Sequence, residues 1–279
     1  MPENFIQFAY MGHFKLLSFV STIFFVFFAG VVNAQNLGVY PTELDFALNK
    51  SQSESQVITM TNGSNKKIQF RLYLGDWLRD TLGEHNYFKP DTLSRSCAKY
   101  VTLSKNFIEI EPGQTQTVAV KLQMPDNDAA VSEMKWAMLF VETVEEKLPA
   151  DAAKKQATIN NLLRIAIHIY QTPPTLTNKQ VKVISLKRAY DNSNTYRLFC
   201  QNTGNVMLQC KSYLELSSLI DGKKTKLDPI EYPLFPEQKR YVVFRLPANL
   251  AKGKYSALAV IDLGEDIPLE AMESEVEMK

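Results

Sequence analysis

The chain has 279 residues, of which 45% are hydrophobic and 22% charged, with 11 Gly, 13 Pro and 3 Cys. That composition excludes a disordered, collagenous or disulfide-dense chain, and the length suits about two domains. Lys and Arg number 31 against 30 Asp and Glu, a net charge of +1, so no basic field addresses nucleic acid and no acidic one gathers cations.

Residues 16–32 form an uncharged apolar run preceded by Lys15 and ending in Val32-Asn33-Ala34. A positive flank, an apolar core and a small-x-small end are the three parts of a secretory signal peptide. The run is as long as a short membrane helix, but Val-x-Ala followed by polar sequence predicts cleavage after Ala34 rather than a retained anchor. Residues 1–34 are therefore read as the signal, and no later run is long enough for a membrane span. Export permits disulfides, yet three cysteines leave at least one unpaired. Cys200 and Cys210 flank Asn202-Thr-Gly-Asn205 symmetrically, so a bridge is conceivable. Both also share a face with apolar neighbours, and the preferred reading makes them small core residues.

From there the chain reads as strands. Ile68, Phe70, Leu72 and Leu74 alternate with Lys67, Gln69, Arg71 and Tyr73, Val118, Val120 and Leu122 with Thr117, Ala119, Lys121 and Gln123, and Leu163, Ile165, Ile167 and Ile169 with Arg164, Ala166, His168 and Tyr170. The stretches 134–142, 241–246 and 255–261 are β-rich, and the first is apolar on both faces. Turn signals separate these runs at Asn62-Gly63, Pro112-Gly113, Asn202–Asn205, Asp221-Gly222 and Pro236-Glu-Gln238. The segments around Asp76–Cys97 and Glu145–Asn161 are polar and read as insertions. Within the second, Ala150–Ala157 has helical propensity but no apolar stripe and reads as a loop. Pro173-Pro174 stops a strand and stiffens a link. The predicted fold is all-β, with two immunoglobulin-like antiparallel β-sandwich domains over residues 35–173 and 178–279. Tyr255, opening a late strand after a corner, has the position of a tyrosine corner.

Chemistry is hard to find. His85 and His168 lie in different segments, and no Cys-x-x-Cys, nucleophile elbow, phosphate loop or dinucleotide fingerprint is present, so no cofactor, metal site or catalytic residue is expected. Asp45 and Asp76 are not paired by spacing for acid–base work. Asp126-Asn127-Asp128 lacks the rest of a calcium loop and reads as a turn. Trp77 and Trp136 could stack a sugar, but Trp136 lies in the doubly apolar strand and reads as core.

The segment Val101–Leu122, with its Pro112-Gly113 turn leading into Gln-x-x-x-Val-x-Val, resembles the central strand pair of the periplasmic pilus-assembly chaperones, the PapD-like family. Val39–Phe46 is similar to that family's first strand. Leu163–Pro173 is similar to its last domain-one strand, and Gly253–Asp262 to a strand of its second domain. The resemblance implies two immunoglobulin-like domains and a non-enzymatic periplasmic chaperone or assembly factor. Such a protein lends its last domain-one strand to a subunit sandwich that lacks one. Backbone ladder bonds then give affinity, and alternating apolar side chains fill the groove. The lent side chains would be Leu163, Ile165, Ile167 and Ile169, and the partners pilin-like or other envelope subunits, with an outer-membrane usher as a further candidate. The family anchors the subunit's terminal carboxylate with an Arg on the first strand and a Lys on the last. Here those positions hold Glu43 and His168, a degenerate anchor. The alternative reading is a structural or adhesive envelope module built of the same two domains. A carbohydrate-binding module or hydrolase is the third.

Overall fold

The computed structural model describes residues 37–144, 162–191, 193–264 and 267–279. The signal segment 1–34 and the loop Ala150–Ala157 lie outside the described residues. The strands in chain order are β1 (Leu37–Tyr40), β2 (Glu43–Phe46), β3 (Ser53–Asn62), β4 (Ile68–Arg79), β5 (His85–Phe88), β6 (Val101–Leu103), β7 (Phe107–Ile110), β8 (Thr115–Gln123), β9 (Lys135–Thr143) and β10 (Arg164–Gln171). Beyond the Pro173-Pro174 link follow β11 (Val181–Arg188), β12 (Thr195–Asn202), β13 (Leu208–Ser218), β14 (Lys224–Lys226), β15 (Ile230–Leu234), β16 (Lys239–Arg245), β17 (Gly253–Asp262) and β18 (Glu270–Met278). Among the described residues the only helical turns are two three-residue 3-10 turns, and no helix is long and apolar enough to cross a membrane. The Asp126–Asp128 segment leads into one of them. Asn127 caps it by accepting the Ala129 N–H at 2.9 Å, and Asp128 pairs with Lys50.

β1 to β10 make two facing sheets, ordered β1-β3-β8-β6 and β2-β10-β9-β4, with β7 and β5 pairing different stretches of β4. Ile58, Met60, Phe70, Leu72, Val118, Val120, Leu122, Leu139, Ile167 and Ile169 fill the space between them. The stretch Val39–Phe46 is two strands, because the chain changes sheets at Pro41. β1 pairs β3 antiparallel, and β2 runs parallel to β10. β11 to β18 make a second pair of sheets, β11-β12-β16 and β14-β13-β17-β18, around Leu198, Leu214, Leu216, Leu234, Ala257 and Ile261. Cys200 and Cys210 are free thiols in this core, and Cys97 is a free thiol in the first. Burial pushes the Cys210 thiol up to about 12, and the other two also upward, so all three act as small apolar side chains.

The turn signals prove to be two copies of one device. Asn62 is fully buried at the end of β3, and its side-chain N–H groups donate to the Lys66 and Ile110 carbonyls at 2.7 and 2.8 Å. Asn202 does the same at the end of β12, to Val206 and Leu234 at 2.8 and 2.9 Å. Each Asn side-chain oxygen accepts a backbone N–H two residues on, from Ser64 or Gly204. The main chain of Asn62 exchanges bonds with Gly113 and Gln114, and that of Asn202 with Glu237 and Gln238. The two Pro-x-Gln turns are thus tied to the two Asn turns in the same way, once per domain. Tyr255 forms its corner, the hydroxyl donating to the Ala251 carbonyl at 2.7 Å.

Candidate functional site

β10 carries the expected site. The Leu163–Ile169 alternation is real, but the structure divides it. Ile167 and Ile169 are fully buried in this domain's own core, Ile165 is half-buried against it, and Leu163 is exposed. The expectation that all four side chains are free for a partner is corrected to that extent: alternation marks a buried face, and here the strands of the opposite sheet cover its lower half.

The backbone of β10 shows the same division. On one side β9 pairs all of it, from Arg164 opposite Glu142 to Gln171 opposite Lys135. On the other, β2 begins only at His168, opposite Glu43, and ends at Gln171, opposite Phe46. The His168 N–H reaches the Thr42 carbonyl at 3.0 Å. By strand alternation, the N–H and C=O groups of Arg164 and Ala166 point the same way as those of His168. Among the described residues no strand pairs with them. Among the described residues the upper half of β10 is therefore an open sheet edge, continued by exposed Leu162 and Leu163.

Glu43 and His168 become cross-strand neighbours in the β2–β10 register, so the two expected anchor positions meet in space. Neither is a cation here. Burial, with the repulsion of Asp45, raises the Glu43 carboxyl. Burial, with His85 and Arg79 nearby, pushes His168 down to about 4, so the ring is neutral at neutral pH.

The Asp76–Cys97 segment, polar and largely exposed as its sequence suggests, explains this burial by folding back over the sheet. Asp76 is fully buried, accepting the Thr92 and Leu93 N–H groups at 2.8 and 2.9 Å and the Ser96 hydroxyl at 2.6 Å. That clasp folds the segment back and lets β5 pair with the end of β4. β5 then lies over the outer face of β9 and β10. Its His85 Nε2 meets His168 Nε2 at 3.2 Å, Tyr87 packs edge-on to Phe140, and Arg164 lies over both rings. Trp77 sits at the centre, its ring centroid 4.9 Å from both His85 and His168 and 5.1 Å from Phe235 of the second domain. The outer face of β9, Trp136, Met138 and Phe140, joins the same cluster. This is why the strand is apolar on both faces, and why Trp77 and Trp136 are unavailable to a sugar.

Arg79 is the cationic group beside the two histidines, and no spacing in the sequence pointed to it. Burial lowers its pKa, with Arg240 adding like-charge repulsion. Its Nη1 donates to the Gly83 carbonyl at 2.8 Å. The turn at Gly83 docks on the second domain, where the Tyr241 N–H donates to the Thr81 carbonyl at 3.0 Å and the Gln238 side chain to the Arg79 and Asp80 carbonyls. Gly83 has φ +93°, and an added Cβ would lie 2.2 Å from the Arg240 guanidinium, so only glycine fits.

Acidification should expose this arrangement. A histidine held neutral in the fold and titrating near 6.5 when unfolded contributes stability above pH 6.5, lost as pH falls towards 4. The melting temperature should therefore drop across that window, and His168→Gln should flatten the drop.

No family model matches the sequence, and no curated protein matches it. Among solved structures, the chain is similar to a chain of the chaperone–tip adhesin complex of CFA/I fimbriae biogenesis, with 14% identity, 85% of this chain and 98% of that one covered, and a TM-score of 0.50. It is also similar to the class 5 fimbriae chaperone CfaA, with 14% identity, 86% and 98% covered, and a TM-score of 0.47. The E. coli chaperone DraB gives 13%, 88% and 96%, and 0.44. The chain thus has the two-domain, immunoglobulin-like sandwich fold seen in the PapD-like pilus chaperones, at a sequence distance that marks it as divergent from them.

Proposed function

We propose that this protein is a non-enzymatic periplasmic chaperone or assembly factor, and that it holds a pilin-like or other envelope subunit by adding the upper half of β10 to the subunit's incomplete sheet. One observation carries this reading: among the described residues no strand pairs the second edge of β10 from Arg164 to Ile167, while β2 closes it from His168 onward. The ladder groups of Arg164 and Ala166 supply the bonds, and Leu162, Leu163 and the exposed part of Ile165 supply the apolar contact. The lower half, with Ile167 and Ile169, stays in the first domain's core. The subunit is not clamped by Glu43 and His168, since neither is positive at neutral pH and β5 covers the histidine. The fold and its likeness to fimbrial chaperones support the same assignment.

Ala166→Pro tests it. Proline removes one N–H from the open edge and leaves the β9 ladder intact, a position where sheets tolerate it. The protein should stay folded while capture of the co-expressed subunit falls at least tenfold. Unchanged capture by the folded variant would move the binding surface elsewhere.

A further inference from the structure

The outer face of the β11-β12-β16 sheet has no role in strand lending. None of its three strands contains an Asp or Glu. Its outward positions carry five cations: Lys182, Lys187, Arg197, Lys239 and Arg245. None of the five forms an ion pair among the described residues, although Lys211, Lys226 and Lys254 on the other sheet of this domain do, as does Arg188 at the end of β11, whose partner is Glu277. In a chain of net charge +1, such a one-signed face is a local concentration of charge.

The register arranges it. Phe199 lies opposite Tyr241, Arg197 opposite Lys187 and Val243, and Gln201 opposite Lys182 and Lys239. Phe199 and Tyr241 pack with ring centroids 5.1 Å apart. The Arg197 guanidinium is sandwiched 4.8 Å from Tyr241 and 5.1 Å from Tyr190, and donates to the Tyr190 hydroxyl at 3.1 Å. Ile184, Val243 and Tyr190 are exposed beside them. An aromatic and aliphatic centre is thus flanked by Lys182 and Lys239 towards one end of the sheet and by Lys187 and Arg245 towards the other. Strands about 4.8 Å apart place these cations within about one to two Debye lengths of one another, so they act together on a common target.

We propose that this face docks on an anionic phospholipid surface. The three strands of this face carry cations and no carboxylate, with Asp191 beside Tyr190 and with Asp80 and Glu237 in the cleft bordered by Lys239 lying at its margins, and such a face complements a surface that is itself uniformly negative. A protein partner would need carboxylates placed opposite each corner. The lysines act as point charges on headgroup phosphates, and Tyr190, Ile184 and Val243 sit at headgroup level. Docking would hold the chain at a membrane by its second domain. The inference stands whether or not β10 lends a strand.

Vesicle co-sedimentation at low salt tests it, with vesicles of phosphatidylcholine containing about one-third phosphatidylglycerol against phosphatidylcholine alone. The purified protein should partition to the anionic vesicles and not to the neutral ones, and physiological salt should weaken the binding. An apolar N-terminal segment, if retained, contributes equally to every variant, so the readout is the ratio between variants. Lys239→Ala and Arg245→Ala should each weaken binding about fivefold, and the pair about 25-fold, at about 1 kcal/mol per cation near the surface. Lys121→Ala, an exposed cation of the first domain, should change it little, and all variants should melt like the parent. Equal binding to neutral vesicles, an equal loss with Lys121→Ala, or no loss with the double variant would overturn the proposal. So would failure to bind vesicles combined with Lys239- and Arg245-dependent cross-linking to an acidic protein.

Discussion

Ile167→Asn should unfold the first domain rather than merely weaken partner capture. Ile167 is fully buried on β10 opposite Leu139 of β9, with Ile169 beside it on the same face. Replacing it removes a packed aliphatic side chain and leaves an amide without partners between the two sheets, a loss of about 3–5 kcal/mol. That is a large share of the stability of a domain this size. Leu163→Asn, four residues earlier on an exposed position, should change stability by no more than about 0.5 kcal/mol. If the first domain lends the upper half of β10, the Leu163 variant loses capture and stays folded, whereas the Ile167 variant loses both. Denaturant unfolding of the two purified variants separates these outcomes before any partner is supplied. An Ile167→Asn protein as stable as the parent would mean that this side chain is not in the core, and would return it to the binding surface.

Trp77→Ala should cost about 3–5 kcal/mol and also uncouple the two domains. The indole is fully buried and touches His85 of β5, His168 and Tyr170 of β10, Trp136 of β9 and Phe235 of the second domain. Its Nε1–H donates to the Ala137 carbonyl at 3.1 Å, and its own carbonyl accepts the Trp136 Nε1–H at 2.9 Å. Removing it leaves a cavity where four strands and the domain interface meet, and deprives β5 of its seat over His168. Calorimetry should show one transition in the parent and two in the variant, the second domain melting near its original temperature. Trp77→Phe, which keeps a ring but not the N–H, should lose less. A single unshifted transition in the alanine variant would show that Trp77 is not the link between the domains.

Much of this was legible in the sequence, and the limits have physical causes. Period-two alternation located β4, β8 and β10 because each has one face on a core. The turns at Asn62-Gly63, Pro112-Gly113, Asn202–Asn205 and Pro236–Gln238 stood out by their Asn, Gly and Pro, although their pairing across each domain is a matter of distance and not of spacing. Alternation does not say which neighbour covers a face, and that is why Ile167 and Ile169 looked as available as Leu163. The doubly apolar strand around Trp136 did signal a second covering layer. What supplies it is Phe235, nearly 100 residues on, together with a strap whose sequence reads as polar. His85 and His168 lie 83 residues apart, and only the clasp around Asp76 brings them together. Arg79 became part of the site through the same folding back.

Backbone amide exchange at Arg164 and Ala166, measured with and without a bound subunit, tests the central claim most directly. In the free protein these two amides face an open edge and should exchange quickly, while those of Ile165 and Ile167, bonded to β9, are slow. With the subunit bound, Arg164 and Ala166 should become protected, by a factor of about 100 or more for a ladder bond that opens only on dissociation. Protection arising elsewhere while these two amides stay fast would contradict strand addition at β10.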